Sequence, residues 1–521
     1  MTNEQLKRNV VRSTLSGYAR LVVRLGLGLV TFRILYQGLT AEQFGFWSLL
    51  WAIFGYGILL DFGFGYAAQK RVAELTVRRD WPRLSRVLST IFFFYFAGAL
   101  VAVWLGLAFS GSLIELFKVS AAQREEFRRV LMLFLVGIGL AFPLGVFPEV
   151  LQGQQRITTA NNLGILSTIA NFVTVVCVVA WHLSFTTLVV LSLLGVLIPY
   201  LWAAKLAFDQ MPGVQLRPRW FSRAAIVDTG RFSLFAYANT LSNVIRNKTD
   251  QPIISAILGV AAVAPYQAGS KVGDMFGQLT RQIADVLSPT AAHLHAKGDA
   301  AALREMLVNG LRYSVLTATP LYVVAAAYME GVIRLLTGVP QPTRAMLWTG
   351  QLLLFWYYSL VITHWVYKRM FMMAGEERRM MWQGVSEAAA NLALSIGLTF
   401  WLKSMLGVAW GSVIPTVVLG WGLLWGWAAA RAGLSRWALF RRVVLRAWWG
   451  CLPMIVVAAA LRFQPWWTSG RTTWLVLVEG TVVSAVGLAG LWRLNLDAAE
   501  RATFAAKVRG KLGIRTRGLA A

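Results

Sequence analysis

LTAEQFGFWS, residues Leu39–Ser48, begins the stretch that decides the fold, because the chain repeats this stretch further on. The segment Leu39–Leu88 lies without a gap on Leu258–Leu307 when it is moved forward by 219 positions, and Asp80 then meets Asp299. Many secondary transporters are built from two similar bundles of apolar helices, since such halves can rock about a site near the middle of the membrane. The repeat therefore favours a transporter over an enzyme.

The composition is that of a membrane protein. Hydrophobic residues make up 57% of the chain and charged residues only 14%, and the mean hydropathy is positive. A soluble protein with this composition would have too few polar residues to cover its hydrophobic core. Apolar stretches of about 20 residues, the length that crosses a bilayer core, recur along the chain. We therefore predict an all-α polytopic membrane protein with about 14 transmembrane helices.

The formal net charge of +27 follows from the topology. In a soluble protein it would suggest a nucleic-acid partner, but here most Lys and Arg residues fall in loops that share one side of the membrane. Cationic loops stay in the cytoplasm, so both termini are expected there and no nucleic-acid partner is expected. Residues Met1–Val10 are polar and resemble no cleavable signal peptide, so the first apolar segment is expected to stay as a span.

The repeats predict three parts of the chain. Residues 1–210 and 225–430 form two six-helix repeats, and residues 431–521 add two helices and a basic tail. The loops between spans are too short for a catalytic domain, and no metal, nucleotide or nucleophile motif is present, so we expect no enzyme activity and no cofactor. The cysteines, Cys177 and Cys451, fall in opposite leaflets on this topology, too far apart for a disulfide.

Polar residues recur at helical spacing inside three apolar segments, the first, seventh and eighth spans. Each set lies on one face of its helix, because steps of three and four residues return to the same side. The first span contributes Arg20 and Arg24, which occupy one such face. The other two sets are Asn239, Asn243, Arg246 and Asp250 in the seventh span, and Lys271, Asp274, Gln278, Arg281 and Asp285 in the eighth. At a shift of 226, Arg20 meets Arg246.

Charged residues inside a span are costly, so we interpret these faces as the lining of a water-filled, mainly cationic cavity that attracts an anion. The predicted substrate contacts are Arg20, Arg24, Asn239, Asn243, Arg246, Lys271, Gln278 and Arg281. A second interpretation stays open, in which Arg246 with Asp250 and Lys271 with Asp274 are ion pairs within one helix. Acids that could carry a coupling ion are Asp61, Glu149, Asp250, Asp274, Asp285 and Glu387.

The motif Leu39–Ser48, the segment from Asp61-Phe62-Gly63-Phe64-Gly65 to Glu74, and the segment from Asp250 to Ala268 resemble the polysaccharide transporters of the multidrug/oligosaccharidyl-lipid/polysaccharide (MOP) exporter superfamily. These proteins are often called O-antigen or lipid-linked oligosaccharide flippases. The resemblance extends over nearly the whole chain in the order and number of spans. It implies two six-helix lobes plus two further helices that open alternately to the two faces of the membrane.

The resemblance also implies the activity. Such proteins move an undecaprenyl-pyrophosphate-linked oligosaccharide across the bacterial inner membrane for the synthesis of O-antigen lipopolysaccharide, capsule or exopolysaccharide. A coupling proton or sodium ion, a polysaccharide polymerase and other assembly proteins are the partners it implies. Similar lipid II flippases carry arginines in their first helix, so Arg20 and Arg24 are implied as substrate contacts. The alternatives are a lipid II flippase and a cation-coupled drug antiporter, although the net basic cavity counts against the antiporter.

Overall fold

The computed structural model describes residues 3–57, 64–222, 234–372, 374–462 and 473–511, and within them the chain forms helices and no strand. The helices before residue 260 are α1 (Asn3–Gly38), α2 (Ala41–Tyr56), α3 (Phe64–Arg78), α4 (Trp81–Ala108), α5 (Ser110–Leu116), α6 (Arg124–Leu144), α7 (Val146–Gly153), α8 (Ile157–Ala180), α9 (Phe185–Phe208), α10 (Leu234–Lys248) and α11 (Asp250–Leu258). The later helices are α12 (Val263–Ala296), α13 (Ala300–Ala327), α14 (Met329–Thr337), α15 (Arg344–Leu360), α16 (Val366–Met372), α17 (Glu377–Leu402), α18 (Leu406–Pro415), α19 (Trp425–Ala432), α20 (Arg436–Phe440), α21 (Arg446–Arg462), α22 (Thr473–Gly490) and α23 (Ala498–Lys511). Short π-helical segments, among them Arg441–Leu445 and Leu491–Asn495, join several of these helices end to end.

The helices have the length and composition of membrane spans. Among the described residues, 9 helices are long and apolar enough to cross a bilayer, and the pair α13 and α14, bent by 76°, would make a tenth. The predicted all-α polytopic fold is confirmed. The expected count of about 14 spans is not confirmed, because helices such as α1 and α12 carry several charged residues within their apolar stretches.

Equivalent residues of the repeat start equivalent helices. The side chain of Asp80 accepts a hydrogen bond from the backbone N–H of Arg83 (3.0 Å) at the start of α4. Asp299, which the 219-residue shift places on Asp80, accepts one from the backbone N–H of Ala302 (2.9 Å) at the start of α13. Both aspartates thus satisfy an N–H group that the first helical turn leaves unpaired, and fix where the helix begins.

The chain divides into two compact units, and unit 1 comprises Met1–Ala268, Leu335–Thr349 and Glu377–Ser412. One hydrophobic core of this unit lies between α3, α4, α7, α8 and α9 and contains the fully buried side chains of Val72 and Leu84. In the same unit α1 packs against α8, and α10 packs against α17. The division into repeats 1–210 and 225–430 stays a prediction.

Unit 2 comprises Gly269–Arg334, Gly350–Glu376 and Val413–Ala521, and its last described helix is held by a half-buried carboxylate. Glu500, in the first turn of α23, accepts hydrogen bonds from Arg312 Nη1 (2.8 Å) and Nη2 (2.9 Å) and from the hydroxyl of Tyr313 (2.6 Å). Partial burial opposes ionisation of Glu500, but these donors outweigh it and lower its pKa to about 2. The charge-assisted bonds therefore dock α23 onto α13.

Replacing Glu500 by glutamine should release α23. The folded-state pKa of Glu500 is about 2 against an ordinary value of 4.5, so its contribution is complete above about pH 5 and is lost as the pH falls from there toward 2. At neutral pH, Glu500→Gln should behave like the acid-treated protein, and trypsin should cleave within Ala498–Lys511 several-fold faster. Glu377→Gln, an exposed acid on α17, is the control, and an equal rate in both variants would contradict the docking.

Candidate functional site

The seventh-span arginine is buried against an acid of another helix. Arg246 Nη1 on α10 lies 3.2 Å from Glu387 Oε2 on α17, and their side chains are 11% and 0% exposed. Gln383 donates to the same carboxylate oxygen (2.8 Å), and Arg246 Nη2 donates to the side-chain oxygen of Asn243 (2.9 Å). Arg246 Nε has no hydrogen-bond partner among the described residues. This ion pair joins the two helices inside unit 1.

The spacing of the seventh span also allowed Asp250, one turn further along, as a partner for Arg246. In the structure Asp250 begins α11, is buried, and accepts a hydrogen bond from the hydroxyl of Tyr266 on α12. Tyr56, at the end of α2, interacts electrostatically with the same carboxylate. Asp250 therefore links three helices of unit 1 through tyrosines. Among the predicted residues of this span, the side chain of Asn239 lies outside the described residues, as does Asp61 of the second span.

The first-span arginine has a different environment. Arg20 on α1 is exposed, and its Nη1 donates to the side-chain oxygen of Asn161 on α8 (3.4 Å). Asn161 in turn donates to the hydroxyl of Ser16 (3.0 Å). Gly164 makes room for the guanidinium group, since a Cβ atom at that position would lie 2.5 Å from Arg20 Nε. Neutral groups thus orient Arg20, and it forms no ion pair with an acid of the described residues.

The difference between Arg20 and Arg246 has a cause in the sequence. Ala170-Asn171 in α8 meets Ala390-Asn391 in α17 at a shift of 220, and this shift places Glu387 on Ser167. The hydroxyl of Ser167 donates to the carbonyl of Gly195 (2.8 Å), within unit 1. The first repeat therefore has a neutral residue where the second has the acid that neutralises its arginine. Arg20 keeps its charge available to a ligand.

Arg24 extends the cationic face of α1. It lies one helical turn beyond Arg20, is also exposed, and the two positive charges repel each other. Side chains four residues apart on a helix are neighbours, with about 5–6 Å between their Cβ atoms. An anion with two phosphate groups would relieve that repulsion and accept hydrogen bonds from both guanidinium forks.

Glu149, the acid of the fourth span, and Arg20 interact with a common tyrosine. Glu149 on α7 accepts hydrogen bonds from the amide groups of Gln69 (2.6 Å) and Gln152 (3.4 Å). Tyr200 on α9 interacts electrostatically with both Arg20 and Glu149. Tyr200 therefore lies within electrostatic range of two of the predicted residues, Arg20 and Glu149.

The eighth-span residues belong to unit 2, where two of the acids have partners on neighbouring helices. Asp274 accepts a hydrogen bond from the hydroxyl of Tyr357 on α15. Asp285 lies 2.8 Å from Arg369 Nε on α16 and 4.0 Å from Arg281 Nε on its own helix. Lys271 is half-buried and Gln278 is exposed. The interpretation of Lys271 with Asp274 as one internal ion pair is therefore incomplete, because Tyr357 also binds the carboxylate.

Two buried polar residues of unit 2 were not among the predicted contacts. Glu479 is buried in α22, the last apolar helix. His364 is buried in a π-helical segment, where its ring nitrogen Nδ1 lies 2.7 Å from the hydroxyl of Thr363. In the sequence, each of these residues is an ionisable residue within an apolar segment, and this pattern could have marked both as candidates. Among the described residues, no group of three His, Cys, Asp or Glu side chains could hold a metal ion.

Replacing Arg246 by methionine should destabilise the protein strongly, because it leaves Glu387 buried without its cation. Breaking a buried pair from one side costs about 3–5 kcal/mol, whereas replacing both partners by apolar residues is often nearly neutral. We therefore expect a clear fall in melting temperature for Arg246→Met and substantial recovery in Arg246→Met/Glu387→Leu, measured on the detergent-purified protein. Arg344→Met, at an exposed site, is the control. A double variant less stable than the single one would refute the pairing.

The solved structures that the fold resembles are membrane transporters. The lipid II flippase MurJ in an inward closed conformation matches with a TM-score of 0.70 at 14% identity, over 93% of this chain and 99% of that chain. An inward-facing multidrug resistance MATE family transporter of the MOP superfamily matches with a TM-score of 0.65 at 17% identity, over 82% of this chain and 99% of that chain. At these identities the likeness shows the fold, and it confirms the MOP architecture expected from the sequence.

The sequence comparisons then give the family. No curated protein matches the chain significantly. A family model described as "Polysaccharide biosynthesis protein" matches residues 34–339, which is more than half of the chain and includes the segments 39–88 and 258–307, Asn161 and Arg246. The protein is therefore a multi-pass membrane protein with the MOP transporter fold, and it belongs to the polysaccharide biosynthesis protein family.

Proposed function

We propose that this protein is a flippase that moves undecaprenyl-pyrophosphate-linked oligosaccharides across the bacterial inner membrane by alternating access, for the synthesis of a cell-surface polysaccharide. The family and the transporter fold support the general activity. In this proposal both termini lie in the cytoplasm and the protein performs no covalent chemistry. A polysaccharide polymerase on the outer face would use the translocated lipid.

The observation that carries the proposal is the exposed pair Arg20 and Arg24 on α1. The part of α1 around them, residues 15–29, is mostly apolar, and the described residues orient Arg20 through the neutral side chain of Asn161. An arginine at the centre of a span costs about 2.5–3.5 kcal/mol on insertion scales, so the exposed guanidinium group of Arg20 favours water or an anion nearby. The pyrophosphate of a lipid carrier supplies two adjacent anionic groups that could accept hydrogen bonds from both arginines. Asn243, in the same unit, is a further contact that we propose, and the roles of Lys271, Gln278 and Arg281 in unit 2 stay predictions from the sequence.

The ion pair of Arg246 and Glu387 has a separate role in this proposal. It neutralises the arginine of the second repeat and fastens α10 to α17. Protonation of Glu387 would leave the charge of Arg246 buried without its counter-ion. An unpaired buried charge is costly, so protonation would weaken the contact between α10 and α17. Glu387 is therefore our first candidate for the acid that couples transport to protons, ahead of Glu149, Asp250, Asp274 and Asp285.

The alternatives differ in the ligand that these arginines would meet. A lipid II flippase would use the same diphosphate with a different headgroup. An antiporter of cationic drugs would need acids where Arg20 and Arg24 present positive charge, so these residues favour an anionic substrate.

Replacing Arg20 or Arg24 by glutamine should block transport without unfolding the protein. One lost charge-assisted hydrogen bond to phosphate should lower the translocation rate about tenfold or more. Cells carrying only Arg20→Gln should accumulate complete oligosaccharide lipid on the inner face of the membrane, as detected with a membrane-impermeant sugar-modifying enzyme. Arg12→Gln, on the same helix and exposed, is the matched control. Normal outward-facing lipid in both Arg20→Gln and Arg24→Gln would overturn the proposal. If the wild-type protein restored lipid II transport in cells that lack their lipid II flippase, the lipid II alternative would be favoured.

The placement of the Arg20 side chain can be tested without removing its charge. A methyl group at Gly164 must displace the flexible end of Arg20, whereas Gly28 on α1 has no atom within 4 Å of the position of a Cβ. We expect Gly164→Ala to lower translocation with little change in melting temperature, and Gly28→Ala to leave both unchanged. Equal translocation by the two variants would show that the position of Arg20 does not matter.

A further inference from the structure

Two adjoining cavities lie at one end of unit 2, away from the residues discussed so far. Their volumes are about 570 and 530 Å³, and both are lined by Leu434 and Arg442. The first extends to α13 and includes Arg304 and Glu305. The second follows the start of α21 and its preceding π-helical segment. The positive-inside pattern predicts that this end faces the cytoplasm.

The walls of these cavities are held in place by a tight turn. Gly433, directly after α19, has a φ of +66°, a left-handed conformation that glycine adopts without strain. The guanidinium group of Arg304 packs over this turn, since a Cβ at Gly433 would lie 3.3 Å from Arg304 Nη1. Ser435 then accepts a hydrogen bond from the N–H of Ala438 (3.1 Å) and starts the next helix. The turn therefore brings Arg304 beside the arginines that follow it in the chain.

The cavities carry a positive charge that the protein does not neutralise. Arg304, Arg441 and Arg442 are exposed, and none forms an ion pair with an acid among the described residues. Arg446 donates to the backbone carbonyl of Asn495 (3.1 Å) and keeps its charge. The lining contains one acid, Glu305, which accepts a hydrogen bond from Asn309 (3.4 Å). Four arginines against one carboxylate make this a site for an external anion.

An apolar track begins directly beside these arginines. Leu445 and Trp449 line the second cavity, and the track continues along α21 through Leu452 and Val456. Steps of four, three and four residues place these side chains on one face of the helix. All are exposed, and Trp449 is 63% exposed. Tryptophan is enriched at the level of lipid headgroups, so the arginines would lie at the membrane surface and the track beneath it.

We propose that this surface binds one anionic phospholipid of the cytoplasmic leaflet. The arginines contact its phosphate, and an acyl chain lies along Leu445, Trp449, Leu452 and Val456. A free phosphate ion would satisfy only the arginines, and a nucleic acid would leave the track uncovered. A lipid with an anionic headgroup matches both parts, as basic pockets between membrane helices do elsewhere. This site is independent of the proposed transport activity.

The test measures lipid binding to the full-length protein, purified in neutral detergent, by native mass spectrometry with phosphatidylglycerol or phosphatidylcholine. Arg441→Gln/Arg442→Gln should weaken phosphatidylglycerol binding about thirtyfold, since each of the two surface cations near anionic lipid contributes about 1 kcal/mol. Binding of phosphatidylcholine should be weaker in the wild type and unchanged by the substitution. Glycerol phosphate, which has no acyl chain, should not displace the lipid at equal concentration.

Arg83→Gln/Arg86→Gln is the matched control, because it removes two exposed arginines near the start of α4 in unit 1. It should leave phosphatidylglycerol binding at the wild-type level. Trp449→Ala should also weaken binding while all arginines remain, which separates the track from charge alone. Equal losses in the two double variants, or full displacement by glycerol phosphate, would overturn the proposal. Unchanged melting temperatures would show that the variants are folded.

Discussion

A charged side chain within an apolar helix must be paired, hydrogen-bonded or hydrated, and this constraint organises the polar residues of the protein. Arg246 and Glu387 satisfy it as a buried ion pair between α10 and α17. Asp250 and Asp274 accept hydrogen bonds from tyrosine hydroxyls of other helices. Each solution ties helices together, because the partner always comes from a neighbouring element. The polar residues thus select which helices pack against each other in a bundle whose apolar surfaces would accept many arrangements.

Arg20 differs from these residues, because it donates a hydrogen bond to the neutral Asn161 and has no acid partner among the described residues. Its counterpart Arg246 is neutralised by Glu387, whereas the position equivalent to Glu387 is Ser167, a neutral residue that hydrogen-bonds to Gly195. Duplication of a bundle therefore need not duplicate the site. The second repeat has an internal ion pair, whereas the described residues give Arg20 of the first repeat no acid partner.

The arginines of unit 2 show the same constraint outside the bundle interior. Arg312 is paired with Glu500 and holds α23, while Arg304, Arg441 and Arg442 have no acidic partner among the described residues. A cationic group at the membrane surface needs no partner within the protein, because headgroup phosphates are available there. The high net charge thus has two physical outcomes in one unit, an internal contact that docks a helix and a surface suited to an anionic lipid.

The sequence by itself determined the helical membrane fold, the internal repeat and the polar faces of the spans, because these follow from hydropathy and from periodicity along one helix. It also identified Arg20, Arg246 and Glu387 as individual residues, and Asp80 with Asp299 as equivalent positions. Only the tertiary structure decided the partners. Arg246 had an acid one turn away in Asp250, yet it pairs with Glu387 on a helix more than a hundred residues further along the chain. Gly164 and Gly433 gave no signal of the arginines that pack on them. Such contacts depend on how separate helices meet, which the periodicity of a single helix does not contain.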